Sequence, residues 1–377
     1  MGSDRAVYLL MAAVMCCILL SAHGRSISID RRGIVHAMGI DTSAEGYRVS
    51  LQIFQPAGTG ADTAVDVTGA NIAVAVSEGK TVSEAIAAAG SSTGKELFFG
   101  HLQLICLGSN ITLDERKELF SFAICGRNIS PSTDLCMAEG KAEELMQLKL
   151  TEEETSAEAL TSLLNTSAEY SQTVLCDLKS LLSDEGCATM PVLSVKSGGD
   201  NEKSCGENGE DTSDMPALSQ SVELAGTAVF SPGGRIILDE KSALPAALLS
   251  GKAKKGSLVT ASDGEDVTSE LDNCRRRRSI CIENSRLILR TNITVSARPD
   301  HELDPEKSRM LSIAAARELK ESCASLQTKM LKKGIDIFGT EQLIKQRFPK
   351  LWLEYRSDTE SLLYNVDVFV DVTVKVV

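Results

Sequence analysis

The chain has 377 residues, room for two domains of ordinary size, and 43% of them are hydrophobic, so most of it is expected to fold. Only 4% are aromatic, so its cores must be built from Leu, Ile, Val, Ala and Met. A formal net charge of −13 repels phosphate backbones and argues against nucleic acid as a partner.

The first recognisable element is an unbroken apolar run from Ala6 to Leu20. It has about the length of a signal-peptide core and is short for a membrane span. Arg5 and the amino terminus supply a positive flank, and Ala22 and Gly24 are small residues spaced as signal peptidase prefers. Residues 1–24 therefore read as a signal peptide or an N-terminal membrane anchor, with a buried core segment as the other reading. Of eleven cysteines, Cys16 and Cys17 lie in this run, and the other nine include no CxxC pair. That argues against a disulfide scaffold or a zinc ribbon. Most are read as small buried apolar residues, and a bridge such as Cys274 with Cys281 stays open.

Strand signals follow. In "GIVHAMGID", Ile34, His36, Met38 and Ile40 alternate onto one face, as do Tyr47, Val49, Leu51 and Ile53 in "YRVSLQIFQP". "KTVSEAIAAAG" predicts a helix with a capping box at Thr81 and Glu84 and a C-cap at Gly90. "GKELFFGHLQLICLG", 94–108, is largely apolar on both faces and predicts one strand covered on both sides, with His101 inside it. A second capping box, Thr112 with Glu115, opens a helix, and further helices are expected around 138–150 and 157–183. Residues 196–216, with six acidic and two basic residues and little to bury, read as a flexible acidic linker extending to about 220. Beyond it, "ELAGTAVFSPGGRIIL" predicts a hairpin turning at Pro232–Gly233–Gly234. "CRRRRS", 274–279, reads as a solvated turn or as a contact for anionic lipid headgroups. "SRLILRTNITVSAR" alternates as a strand. A long amphipathic helix is capped by Asp304, carries Leu311, Ala315, Leu319, Cys323, Leu326 and Met330 on one stripe, and ends at Gly334. The last strand places Val366, Val368, Val370, Val372, Val374 and Val376 on one face; it is expected to be antiparallel to its neighbour, with a helix on the valine face.

Reactive constellations are scarce. "GSSTGKE" lacks the spacing of a phosphate loop, "HELD" has no second histidine four residues on, and neither GxSxG nor GxGxxG occurs. No cofactor and no metal site are read from the chain. His101 reads as a hydrogen-bonded core or interface residue.

Several segments in order resemble the Ger(x)C, or GerAC-like, family, the C subunits of spore germinant receptors. "DRRGIVHAMGIDTSAEGYRVSLQIFQP" is similar to the family's opening, including Asp30, Arg31 and Arg32. "FFGHLQLICLG", with Gly100 and His101, is similar to its Gly-His strand. "GTAVFSPGGRI" resembles the start of its second domain, and "GIDIFGTEQLIKQRFPKLW" its segment with Asp336, Phe338, Gly339 and Trp352. The resemblance runs from about Asp30 to the C-terminus. It implies an α+β fold of consecutive domains, with mixed or antiparallel sheets packed against helices; the composition shift at the linker, 196–220, sets their bounds at 25–195 and 221–377. It also implies a non-enzymatic, lipoprotein-like subunit on the outer face of the spore inner membrane, beside integral-membrane A and B subunits. The family's lipid-modified cysteine stands just before the Asp-Arg-Arg sequence, where this chain has "SISID"; Cys17 or Cys16, in a poor lipobox, is the remaining lipidation candidate. A ligand-binding module that senses germinant directly and a secreted enzyme with an unrecognised site are the alternative readings.

Overall fold

A computed structural model describes residues 11, 15, 31–54, 72–112, 116–148, 156–183, 187–197, 220–231, 234–262 and 264–377. The export segment with Cys16 and Cys17, Asp30, Glu115 of the second capping box, Pro232–Gly233 and the body of the acidic linker lie outside them.

The fold is α+β, built on two mixed sheets. The first contains β1 (Arg32–Ser43), β2 (Gly46–Phe54), β3 (Ile72–Gly79), β4 (Glu96–Phe98), β5 (Leu104–Leu107), β6 (Asp134–Ala138), β7 (Cys176–Asp177), β8 (Ala188–Ser197), β9 (Gln220–Ser231) and β10 (Gly234–Leu238). Its strand order is β10-β9-β8-β6-β5-β1-β2-β3, with β4 added beside β1 and β7 beside β6. β1, β5, β6 and β8 run parallel at its centre, and antiparallel pairs flank them. The predicted hairpin is present, with Gly234 opposite Ser231.

Helices cover both faces of this centre. On one side α1 (Val82–Thr93) packs Val82, Ala85, Ile86 and Ala89 against Val49, Leu51 and Ile53. Two short helices, α2 (Arg116–Leu119) and α3 (Ser121–Ile124), add Leu119 and Phe122 to that layer. On the other side α4 (Ala142–Gln147) and α5 (Ser156–Glu169) bury Leu145, Met146, Leu160 and Leu164 against Leu104 and Cys106. This double cover is why Leu104–Leu107 is apolar on both faces and wholly buried.

The structure departs from the sequence reading at several points. A bulge at His36 re-phases β1, so Val35 rather than His36 joins Met38 and Ile40 in the core. The Thr81 cap forms as expected, but α1 runs past Gly90 to Thr93, and Gly94 takes the left-handed C-cap at φ 64°. The hydroxyls of Ser91 and Thr93 bond back to carbonyls of the preceding turn and let the helix absorb its glycine. Residues 94–108 are not one strand: β4 and β5 pair with separate stretches of β1. Between them Phe99–Leu102 forms a turn closed by a 3.0 Å bond from Leu102 N to Phe99 O. Phe99 points into the core, and His101 at the tip is exposed, which overturns the core reading of this core or interface residue. His101→Ala is therefore expected to change stability by less than about 0.5 kcal/mol, against about 1–3 kcal/mol for a buried polar group losing its partners; thermal denaturation distinguishes the two. The helix expected over 138–150 starts at Ala142, because Asp134–Ala138 forms β6. The 157–183 stretch breaks at Ser171, whose φ is 57°, then passes through β7 into α6 (Leu178–Ser183).

The second sheet is β11 (Gly256–Ser262), β12 (Glu265–Glu283), β13 (Arg286–Pro299) and β14 (Val366–Val376), in that order. The "CRRRRS" segment is not a turn but the middle of β12, a 19-residue strand. Cys274 and Cys281 are free and lie seven residues apart on it. At about 3.3 Å per residue they stand some 20 Å apart, out of reach of a bridge. β14 pairs parallel with β13, not antiparallel. The chain leaves β13 and returns through helices α8 (Pro305–Leu331), α9 (Thr340–Arg347), α10 (Pro349–Glu354) and α11 (Thr359–Tyr364), and such a crossover brings a strand back in the same direction. The predicted stripe of α8 covers the valine face of β14, and α7 (Glu240–Ser250) packs against α8 and β12. No helix of the described residues is long and apolar enough to cross a membrane.

Candidate functional site

The segment "GIDIFGTEQLIKQRFPKLW" folds into a turn and two short helices whose polar groups are directed at one another. Gly334, at φ 68°, ends the turn that follows α8. The two carboxylate oxygens of Asp336 accept the amide protons of Phe338 (3.2 Å) and Glu341 (2.6 Å), which ties the turn to the first residues of α9. Gly339, at φ 73°, supplies a left-handed residue at the N-cap of α9, which has no side-chain cap of its own. Phe338 is buried in the core under α8. Glu341 accepts the Trp352 indole Nε1–H at 3.3 Å, and the Lys345 ammonium sits 4.6 Å from the centre of the Trp352 ring, a cation–π contact that braces α9 on α10.

Two arginines of β12 lie beneath this segment and the end of α7. Alternation places Arg276 and Arg278 on the helical face of the sheet and Arg275 and Arg277 on the solvent face. Arg278 Nη1 donates to Phe338 O in the turn, and Arg276 Nη1 donates to Leu249 O in the last turn of α7. A guanidinium at a helix C-terminus meets the negative end of the helix dipole. Burial, and next the neighbouring Arg278, push the Arg276 guanidinium down to about 10. Burial also lowers Arg278, with Asp336 acting the other way.

A cavity of about 900 Å³ opens between this segment and the Val174–Leu181 and Cys187–Thr189 stretches of the first sheet. Lys252, just past α7, also lines it and donates from Nζ to Leu175 O at 3.1 Å. Beside it lies a second cavity of about 380 Å³ that shares Gly339, Gln342 and Gln346 and is backed by Arg276 and Arg278. Among the described residues, no three His, Cys, Asp or Glu side chains are grouped to hold a metal ion.

The site residues named from the sequence fall into two groups. Asp336, Phe338, Gly339 and Trp352 come together at the cleft. Arg32, Gly100 and His101 come together around Phe98, with Arg31 exposed nearby and Asp30 outside the described residues. The Arg32 guanidinium lies 5.7 Å from the Phe98 ring centre and the His101 ring 6.0 Å from it. A Cβ on Gly100 would stand 2.4 Å from Phe98 Cζ, so the glycine lets that ring lie flat on the chain. Sequence reasoning missed Arg276, Arg278, Lys252, Gln342 and Gln346. For the arginines a signal existed in Ile280, which is buried on the helical face and in phase with Arg276 and Arg278; the phase of Val267, Ser269 and Leu271 points instead to Arg275 and Arg277, because a bulge between Asp272 and Arg275 shifts it.

Residues 25–195 match the family described as "Spore germination protein N-terminal domain", and residues 225–377 match the one described as "Spore germination B3/ GerAC like, C-terminal". Spore germination protein KC of Bacillus subtilis (strain 168) is 23% identical over 359 residues, covering 90% of this chain and 87% of that protein. The crystal structure of the GerBC protein superposes with a TM-score of 0.52 at 13% identity, covering 90% of this chain and 96% of that one, a likeness of fold. With both domain families matched in order over most of its length, the chain belongs to the GerAC-like family of spore germination proteins.

Proposed function

We propose that the protein is a non-enzymatic, membrane-associated subunit of a nutrient germinant receptor, acting through complex assembly or signal coupling beside integral-membrane A and B subunits. The observation that carries this reading is the construction of the 334–352 segment. Asp336, Glu341, Lys345 and Trp352 are engaged with neighbouring backbone and side chains, so this motif builds a rigid edge to a cleft instead of presenting a nucleophile with its base. A rigid, polar cleft between two sheets suits a surface that a partner or ligand engages. Residues 6–20, or a lipid on Cys17 or Cys16, would hold the domains at the outer face of the spore inner membrane. The open 900 Å³ cavity favours direct sensing of germinant as the second reading.

Deletion of the gene should leave sporulation intact and abolish germination in response to one nutrient class, while nutrient-independent triggers still act. Germination is followed as loss of spore optical density after each trigger. A normal nutrient response in the deletion strain, in the absence of a paralogue, would falsify the reading.

A further inference from the structure

We propose that Arg276 and Arg278 form the floor of a binding site for a small oxyanion, a carboxylate or phosphate group, in the 380 Å³ cavity capped by Gln342 and Gln346. The cavity lies within the size range of small-ligand sites, about 300–1,000 Å³. Two guanidiniums two residues apart on one strand face repel each other, and half-burial removes part of their water. Asp336, the carboxylate acting on Arg278, accepts the amides of Phe338 and Glu341, and among the described residues no carboxylate acts comparably on Arg276. Positive charge in this recess thus exceeds the negative charge the protein supplies there. Each guanidinium has five donor hydrogens and directs one nitrogen at a main-chain carbonyl, which fixes its plane and leaves donors for a ligand. Planar, paired N–H groups match the paired oxygens of a carboxylate or phosphate.

The surroundings keep the recess open. Gly251, at φ 72°, lies where a Cβ would stand 2.9 Å from Arg276 Nε, and Gly339, at φ 73°, lies where one would stand 3.6 Å from Arg278 Nη2. The missing side chain at Gly251 makes room for the Arg276 guanidinium, while at Gly339 the left-handed backbone, not space, calls for glycine. Gln342 and Gln346 stand one helical turn apart on α9, and both line the cavity, where their amide groups can complete the ring of donors. The inference concerns a ligand of this recess and stands whether or not the receptor role holds, because it is tested on the purified chain.

The test is thermal denaturation of the full chain in detergent, titrated with sodium phosphate or sodium malonate against sodium chloride at equal ionic strength. Phosphate or malonate should raise the midpoint saturably and chloride should not. Gln346→Glu places a carboxylate in the recess. It should raise the midpoint without ligand and weaken the phosphate or malonate response at least tenfold. Because Gln346→Glu leaves the arginine–carbonyl bonds in place, it stays informative if Arg276→Gln or Arg278→Gln fails to fold. The unfolding midpoint of the full chain reconstituted in phosphatidylglycerol or in phosphatidylcholine vesicles separates the sources. A higher midpoint in phosphatidylglycerol, lost in Gln346→Glu, identifies a lipid headgroup; equal midpoints in the two lipids with a saturable response to free phosphate identify a free anion. Equal shifts with chloride, an unchanged anion response in Gln346→Glu, or no response to phosphate, malonate and phosphatidylglycerol would each overturn the proposal.

Discussion

Replacing Asp41 by alanine is expected to cost about 2–4 kcal/mol of stability, the sum of a lost helix cap and two stranded donors, one buried and one half-buried. Asp41 lies on β1 and is 6% exposed. Its two oxygens accept the first amides of α4, Ala142 N at 2.8 Å and Glu143 N at 2.9 Å. The residue in the N-cap position, Lys141, makes no side-chain cap bond, so the strand supplies what the helix lacks. Other parts of β1 and β2 serve the same docking. Gly39 lets Ala142 and Met146 sit against the strand, and Gln52 donates to Met146 O at 2.8 Å. A Cβ at Gly108 would stand 2.0 Å from Asp41 Oδ1, so that glycine leaves room for the carboxylate. Asp41→Asn keeps one acceptor and should lose about half as much. Urea denaturation measures both; an alanine variant within about 0.5 kcal/mol of the parent would remove Asp41 from this role.

Leu319→Ala is expected to destabilise by about 2–5 kcal/mol, the range for a leucine removed from a packed core. Leu319 is 1% exposed in the middle of the α8 stripe, between Ala315 and Cys323 and above the valines of β14. The same substitution should be read by a thiol. Burial pushes Cys323 up to about 12, so it reacts slowly while α8 is seated. Alkylation of Cys323, followed by mass spectrometry, should accelerate in Leu319→Ala in proportion to the open population. Ile313→Ala, at a residue 60% exposed on the same helix, should stay within about 0.5 kcal/mol of the parent and leave the Cys323 rate unchanged. Equal labelling rates in Leu319→Ala and the parent would show that the stripe does not hold the helix down.

The parts legible in the sequence were those in which local pattern and tertiary burial agree. The stripe from Leu311 to Met330, the alternation of Tyr47 to Ile53 and the caps at Thr81 and Asp304 all appear as read. Each depends on a period or a hydrogen bond within a few residues of itself. What escaped depends on distant partners. The direction of β14 follows from the crossover through α8 to α11, not from its valines. His101 sat in an apolar run, but the run serves two separate stretches of β1, and the join between them faces solvent. The arginines of β12 looked like a soluble turn because charge suggests water. Their stems lie along the sheet and their heads reach carbonyls at two helix-end turns. The cleft itself was illegible, since it forms between residues more than a hundred positions apart, such as Leu175 and Lys345.

The long first sheet runs across the point where the two matched families meet. β8 takes in the first two residues of the segment read as a linker, 196 and 197, and β9 begins at its last, 220; the two are antiparallel neighbours, with Ala188 opposite Phe230 and Ser197 opposite Gln220. A nick anywhere between 198 and 219 would therefore leave two pieces clasped along a full strand, and they should behave as complementing fragments. Expressing the halves apart has the opposite effect. The front half would end in a bare edge at β8 open to foreign strands, and the rear half would carry a hairpin, β9 and β10, with nothing to lie against. A truncation meant to isolate the rear half is better begun at Asp239, where α7 is capped by its own aspartate, than within the linker that the sequence offers as the obvious seam.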